Sequence, residues 1–99
     1  MDSVPVAAVG IAWYRREHYS RLKRLFTDGH KLPSRYDKWL KLAQRTVTEL
    51  EASGKIVVKA FIDPDEFPQW CRARSLNVDA EARTRYANSV AAQTYRNRH

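Results

Sequence analysis

Along the 99-residue chain the spacing of apolar positions changes several times, and each change marks an element. Residues 6–14 are an almost unbroken apolar run between Pro5 and the charged triplet Arg15, Arg16 and Glu17. Such a run reads as a strand covered on both faces. From residue 16 to 27 the spacing becomes helical: Tyr19, Leu22, Leu25 and Phe26 fall on one face, with Gly29 as the stop. Residues 30–34 form a connection through Pro33. Ser34 is the expected N-cap of a second helix, with Asp37 three residues on completing a capping-box-like signal. That helix runs to about residue 53 on a stripe of Tyr36, Trp39, Leu40, Ala43, Val47 and Leu50. Gly54 closes it in the left-handed region.

Residues 55–62 read as a second strand. Ile56, Val58, Ala60 and Ile62 share one face, and Val57 and Phe61 flank Lys59 on the other. A third helix then opens at Asp63, Pro64, Asp65 and Glu66, with Asp63 as cap and Pro64 suited to the first helical position. Pro68 removes a hydrogen bond in the first turn and shifts the start about two residues on. Phe67, Trp70 and Cys71 are its buried edge, and it ends near residue 75. Asp79 or Asn77 caps a last helix, whose inner face is Ala82, Tyr86, Val90 and Ala91 or Thr94. These are mostly small side chains. Residues 1–5 and 95–99 are expected to fray.

The predicted order is β-α-α-β-α-α: a single α+β domain over residues 1–99, with four helices on a small two-stranded sheet. The halves show no residue-level self-similarity that would make them a duplication. If each helix crosses the sheet once, the two strands are antiparallel. Trp13, Trp39 and Trp70, from three elements, are expected to meet in or near one core. A two-stranded sheet is marginal alone, and both its strands are edges that invite pairing, so a homodimer joining strands into four is expected.

Composition narrows the function classes. The hydrophobic fraction of 43% is that of a globular domain. Cys71 is the single cysteine, which excludes a disulfide framework and a cysteine-based metal knuckle within one chain. The apolar run is too short for the ~20 residues of a membrane helix. Asp2 is the only charge before Arg15, unlike the basic start of a secretory signal. The expectation is a soluble cytoplasmic protein with no membrane association. Only three glycines occur, widely separated, so no phosphate-cradling loop can form. No metal, cofactor or catalytic residue is implied.

Charge is the most localised signal. Residues 15–45 hold ten basic and three acidic residues, a surplus of seven that equals the net charge of the chain. The outward-facing members Arg21, Lys23, Arg24, Arg35, Lys38, Lys41 and Arg45 are the candidate surface for a polyanion or a protein partner. Phosphate backbones attract such a surface by counterion release, and Tyr14, Tyr19 and Tyr36 are interleaved for stacking. A solvated or protein-docking face explains the same charges, with the tyrosines as core. The link over residues 27–34 is longer than a helix-turn-helix turn.

The remaining candidates have ordinary explanations. Carboxylates after a strand can hold magnesium, but capping accounts for Asp63 and Glu66. Arg72 and Arg74 would lower the pKa of Cys71, yet a cysteine on an apolar helix edge is usually inert packing. His18 and His30 have no metal-ligand spacing.

Several segments carry a family likeness: Gly10-Ile11-Ala12-Trp13-Tyr14, Lys31-Leu32-Pro33 with Tyr36 and Trp39, Ile62-Asp63-Pro64-Asp65-Glu66-Phe67, and Trp70-Cys71. Together they resemble a group of short bacterial proteins, one domain long, with no assigned activity. The resemblance implies a compact bacterial intracellular protein and carries over no catalytic or binding residue. The functional expectation is a non-enzymatic interaction module with a protein partner or self-association. Nucleic-acid binding through the basic stretch is the alternative, and a small enzyme the second alternative.

Overall fold

The computed structural model describes residues 8–97. In order they form strand β1 (Ala8–Trp13), helix α1 (Arg16–Leu25), a single 3-10 turn (Gly29–Lys31), helix α2 (Tyr36–Ala52), strand β2 (Ile56–Phe61), and helices α3 (Glu66–Arg72) and α4 (Ala80–Asn97). The α+β class, the four helices and the two strands are those the apolar spacing predicts. The expected strand positions Val6 and Ala7, and the expected fraying of residues 1–5 and 98–99, lie outside the described residues. Helix α4 keeps its helical backbone to Asn97.

The strand direction differs from the expectation. β1 and β2 are parallel, with Ala8 opposite Ile56 and Trp13 opposite Phe61. The antiparallel reading took α1 for a full traverse of the sheet. Ten residues of helix span only ~15 Å, and α1 sits beyond the C-terminal end of β1 instead. Its buried Tyr19 meets Tyr14, just past the strand, and Trp39 on α2 at centroid distances of 6.1 and 5.9 Å. Only α2, whose seventeen residues span ~26 Å, runs back along the ~20 Å strand. One return makes the next strand parallel.

Helices pack on both faces of the sheet, as the continuous apolar run of β1 implies, although Ile56 and Phe61 at the ends of β2 stay exposed. One face carries Ala8, Gly10 and Ala12 beside Ile56, Val58 and Ala60. Helix α4 lies on it so closely that a Cβ on Gly10 would stand 1.9 Å from the Ala87 carbonyl oxygen. The small side chains Ala82, Ala87 and Ala91, all buried, permit this approach. On the opposite face Trp13 meets Trp39 of α2 edge-on at 5.2 Å.

An aromatic chain links all four helices at the C-terminal end of the sheet. It runs from Trp13, Trp39 and Tyr19 of α1 through Tyr14 to Phe26, then to Phe67, and on to Trp70 and Tyr86. The three tryptophans therefore share one core, with Trp70 at its half-buried margin. Such ring pairs each add ~0.5–1.5 kcal/mol beyond their buried area. Three tyrosine hydroxyls anchor this region to the backbone: Tyr36 donates to the Tyr14 carbonyl, Tyr19 to the Pro33 carbonyl and Tyr86 to the Phe61 carbonyl.

The termini of the helices are partly as expected. Asp63 Oδ1 accepts from the backbone N–H groups of Asp65 and Glu66 at 2.8 and 3.0 Å, and α3 starts at Glu66. Asp79 accepts from the Ala82 N–H at 3.0 Å, and Gly54 has φ of 90°. Ser34 is not the cap of α2, however. Arg35 holds that position without a side-chain bond, because Asp37 pairs with Arg16 rather than closing a box. Gly29 does not end α1 either. It belongs to the 3-10 turn, packed so tightly that a Cβ would fall 1.8 Å from the Lys23 carbonyl oxygen.

Candidate functional site

The structure divides the seven predicted basic residues into three groups. Arg21 is tied to Asp65, and Lys23 donates to the Leu32 carbonyl at 3.0 Å. Arg24 stands exposed on α1. Arg35, Lys38, Lys41 and Arg45 are exposed along α2 and have no ion pair or side-chain hydrogen bond among the described residues. At 100° per residue these four fall within an arc of about 120° on the side opposite the apolar stripe. Leu42 lies inside that same arc and is 47% exposed, the most exposed large hydrophobic among the described residues. Sequence reasoning passed over it. The available signal was that Leu42 falls off the Trp39–Ala43–Val47 stripe and among lysines.

Two of the three acids in the basic stretch are already taken up by arginines. Asp37 pairs with Arg16 at 2.6 Å, and Asp28 forms a two-pronged bond with Arg83 at 2.8 and 2.9 Å. Arg83 was not predicted at all. It is buried on the inner side of α4, over the Phe26 ring at 4.4 Å. Its hydrogen bond holds the Asp28 carboxyl below the usual range, against the opposing effect of burial. Burial also pushes the nearby Tyr14 hydroxyl up to about 12. No sequence signal joins residues 28 and 83, because arginine on a helix normally reads as outward-facing.

Between α1 and the 3-10 turn lies an open cleft of about 390 Å³, lined by Ser20, Lys23, Arg24, Gly29, His30 and Ser34. It gathers two of the predicted basic residues with three polar side chains that sequence reasoning had assigned elsewhere or left unassigned. Arg35, Lys38, Lys41 and Arg45 are not brought into it.

A family model described as a domain of unknown function (DUF8829) matches residues 6–98. The chain belongs to this family. No curated protein and no solved structure matches it.

Other chemistry finds little support in the geometry. Asp63 is spent on capping, and its two backbone N–H donors hold its carboxyl below the usual range. Cys71 is fully buried, and burial pushes its thiol up, away from the nucleophilic thiolate. His18 Nδ1 is buried and has no hydrogen-bond partner among the described residues. No three His, Cys, Asp or Glu side chains among those residues converge as metal ligands would. Among the described residues no helix is long and apolar enough to cross a membrane.

Proposed function

We infer that the protein is a non-enzymatic interaction module of the bacterial cytoplasm that docks a protein partner on the outer face of α2. The observation that carries this reading is Leu42, 47% exposed beside Lys38 and Arg45, its neighbours four residues before and three residues after it on α2. A single exposed leucine is ordinary on a protein surface; what favours a protein partner is its place among unpaired cations, since an interface joins an apolar anchor to a charged rim and a phosphate backbone has no apolar group to receive it. The complementary partner is an acidic amphipathic segment, with carboxylates opposite the cations and one apolar anchor over Leu42. The test is affinity capture from extract with and without nuclease treatment, using wild type, Leu42→Asp, and the pair Lys38→Glu and Lys41→Glu. The expected result is a protein retained by wild type alone and cross-linked to α2 through an acidic segment. Nuclease-sensitive capture, or retention by Leu42→Asp, overturns the reading; the first outcome favours nucleic acid.

Self-association is a second reading, favoured by the sheet edges. Neither strand has a neighbour on its outer side among the described residues. Lys59 guards the middle of β2, whereas Ala8–Trp13 carries no charge. Antiparallel pairing of β1 with a second copy would give a four-stranded sheet. A scattering mass equal to one chain at micromolar concentration removes it.

A further inference from the structure

We propose that the cleft between α1 and the 3-10 turn binds the phosphate group of a small phosphorylated polyol such as a sugar phosphate. Three contacts shape the cleft. Gly29 lets the turn settle against the Lys23 carbonyl, which brings His30 alongside α1. Lys23 Nζ is fixed by its bond to the Leu32 carbonyl, with two further protons free to donate. The Tyr19 hydroxyl holds Pro33, and so positions Ser34 at the rim.

The charge of the cleft is unopposed. Its lining contains Lys23, Arg24 and His30 and no carboxylate. The nearest acid in sequence, Asp28, is occupied by both prongs of Arg83. An arginine fork and a lysine ammonium are the usual partners of a phosphate dianion. At about 390 Å³ the open cleft has room for more than a bare phosphate. Its Ser20 and Ser34 hydroxyls suit a polyol, while Arg24 and His30, the two groups in the lining able to stack on a base, are the partners of the phosphate. The site is separate from the outer face of α2 and does not depend on a partner docking there.

The test is a titration of the full chain followed by backbone amide shifts, with inorganic phosphate, glucose 6-phosphate, AMP and glucose as probes. Expected are saturable shifts confined to residues 20–34, with glucose 6-phosphate binding tighter than phosphate at about 1 mM or below and glucose not binding. AMP should bind no better than phosphate. Arg24→Glu and His30→Ala, both at exposed positions, should fold normally, and Arg24→Glu should weaken binding about tenfold. Lys41→Glu and Leu42→Asp should leave it within about twofold. Absence of saturable binding overturns the proposal. So does a loss in Lys41→Glu equal to that in Arg24→Glu, which would mean diffuse attraction to a basic surface. Tighter binding of AMP than of glucose 6-phosphate would refute the polyol assignment.

Discussion

Removing the guanidinium of Arg83 should be among the most damaging single changes in this chain. Its side chain and that of Asp28 are only 10% and 19% exposed, and they share two charge-assisted hydrogen bonds. Arg83→Met keeps most of the apolar stem but leaves the Asp28 carboxylate desolvated and alone. Breaking a buried pair in this way costs ~3–5 kcal/mol; the partial exposure of Asp28 places it at the lower end, about 3 kcal/mol. Against a total stability of ~5–15 kcal/mol, that lowers Tm by roughly 12–24 °C for a domain of this size. Urea and thermal unfolding followed by circular dichroism measure it. Adding Asp28→Asn should recover part of the loss, because the stranded charge is then gone.

The pH dependence of this pair has a definite sign. The folded Asp28 carboxyl lies below its ordinary value, chiefly through its bond to Arg83. Its contribution is therefore complete above the unfolded carboxylate pKa of ~3.9, and is lost as pH falls through the lower folded value. The stability gap between wild type and the double variant should be flat at neutral pH and should close below about pH 4. An Arg83→Met protein within ~0.5 kcal/mol of wild type, or a gap that widens in acid, would refute the reasoning.

Two further outcomes test the packing. Gly10→Ala should destabilise by at least ~1–3 kcal/mol, because its Cβ meets the Ala87 backbone rather than a side chain that can move. The readout is soluble yield and Tm, and an unchanged Tm would mean that α4 does not press on β1. Cys71 should resist a thiol reagent in the native chain and react fully in denaturant, since it is buried and its thiol is raised; fast native labelling would show that α3 opens.

Local physics made much of this protein legible in its sequence. The helical stripe of Tyr36, Trp39, Leu40, Ala43 and Val47 requires one inward face, Gly54 closes its element through its left-handed backbone, and Asp63 opens the next through a carboxylate that accepts from nearby N–H groups. The apolar run of β1 announced cover on both faces, which α2 and α4 provide. Each of these rests on residues a few positions apart, where spacing alone fixes the geometry.

What only the tertiary structure decided depends on distant partners. Helix α1 packs beyond the sheet end instead of across it, so the strands are parallel; no periodicity encodes where a helix lies relative to a strand. Arg83 turns inward because Asp28, 55 positions away, meets it there. The basic stretch shows the same division. Its surplus of seven was plain from residue types. The structure sets Arg35, Lys38, Lys41 and Arg45 along α2, places Lys23 and Arg24 at a cleft beside His30 and ties Arg21 to Asp65, a division fixed by how the helices pack and not by residue type.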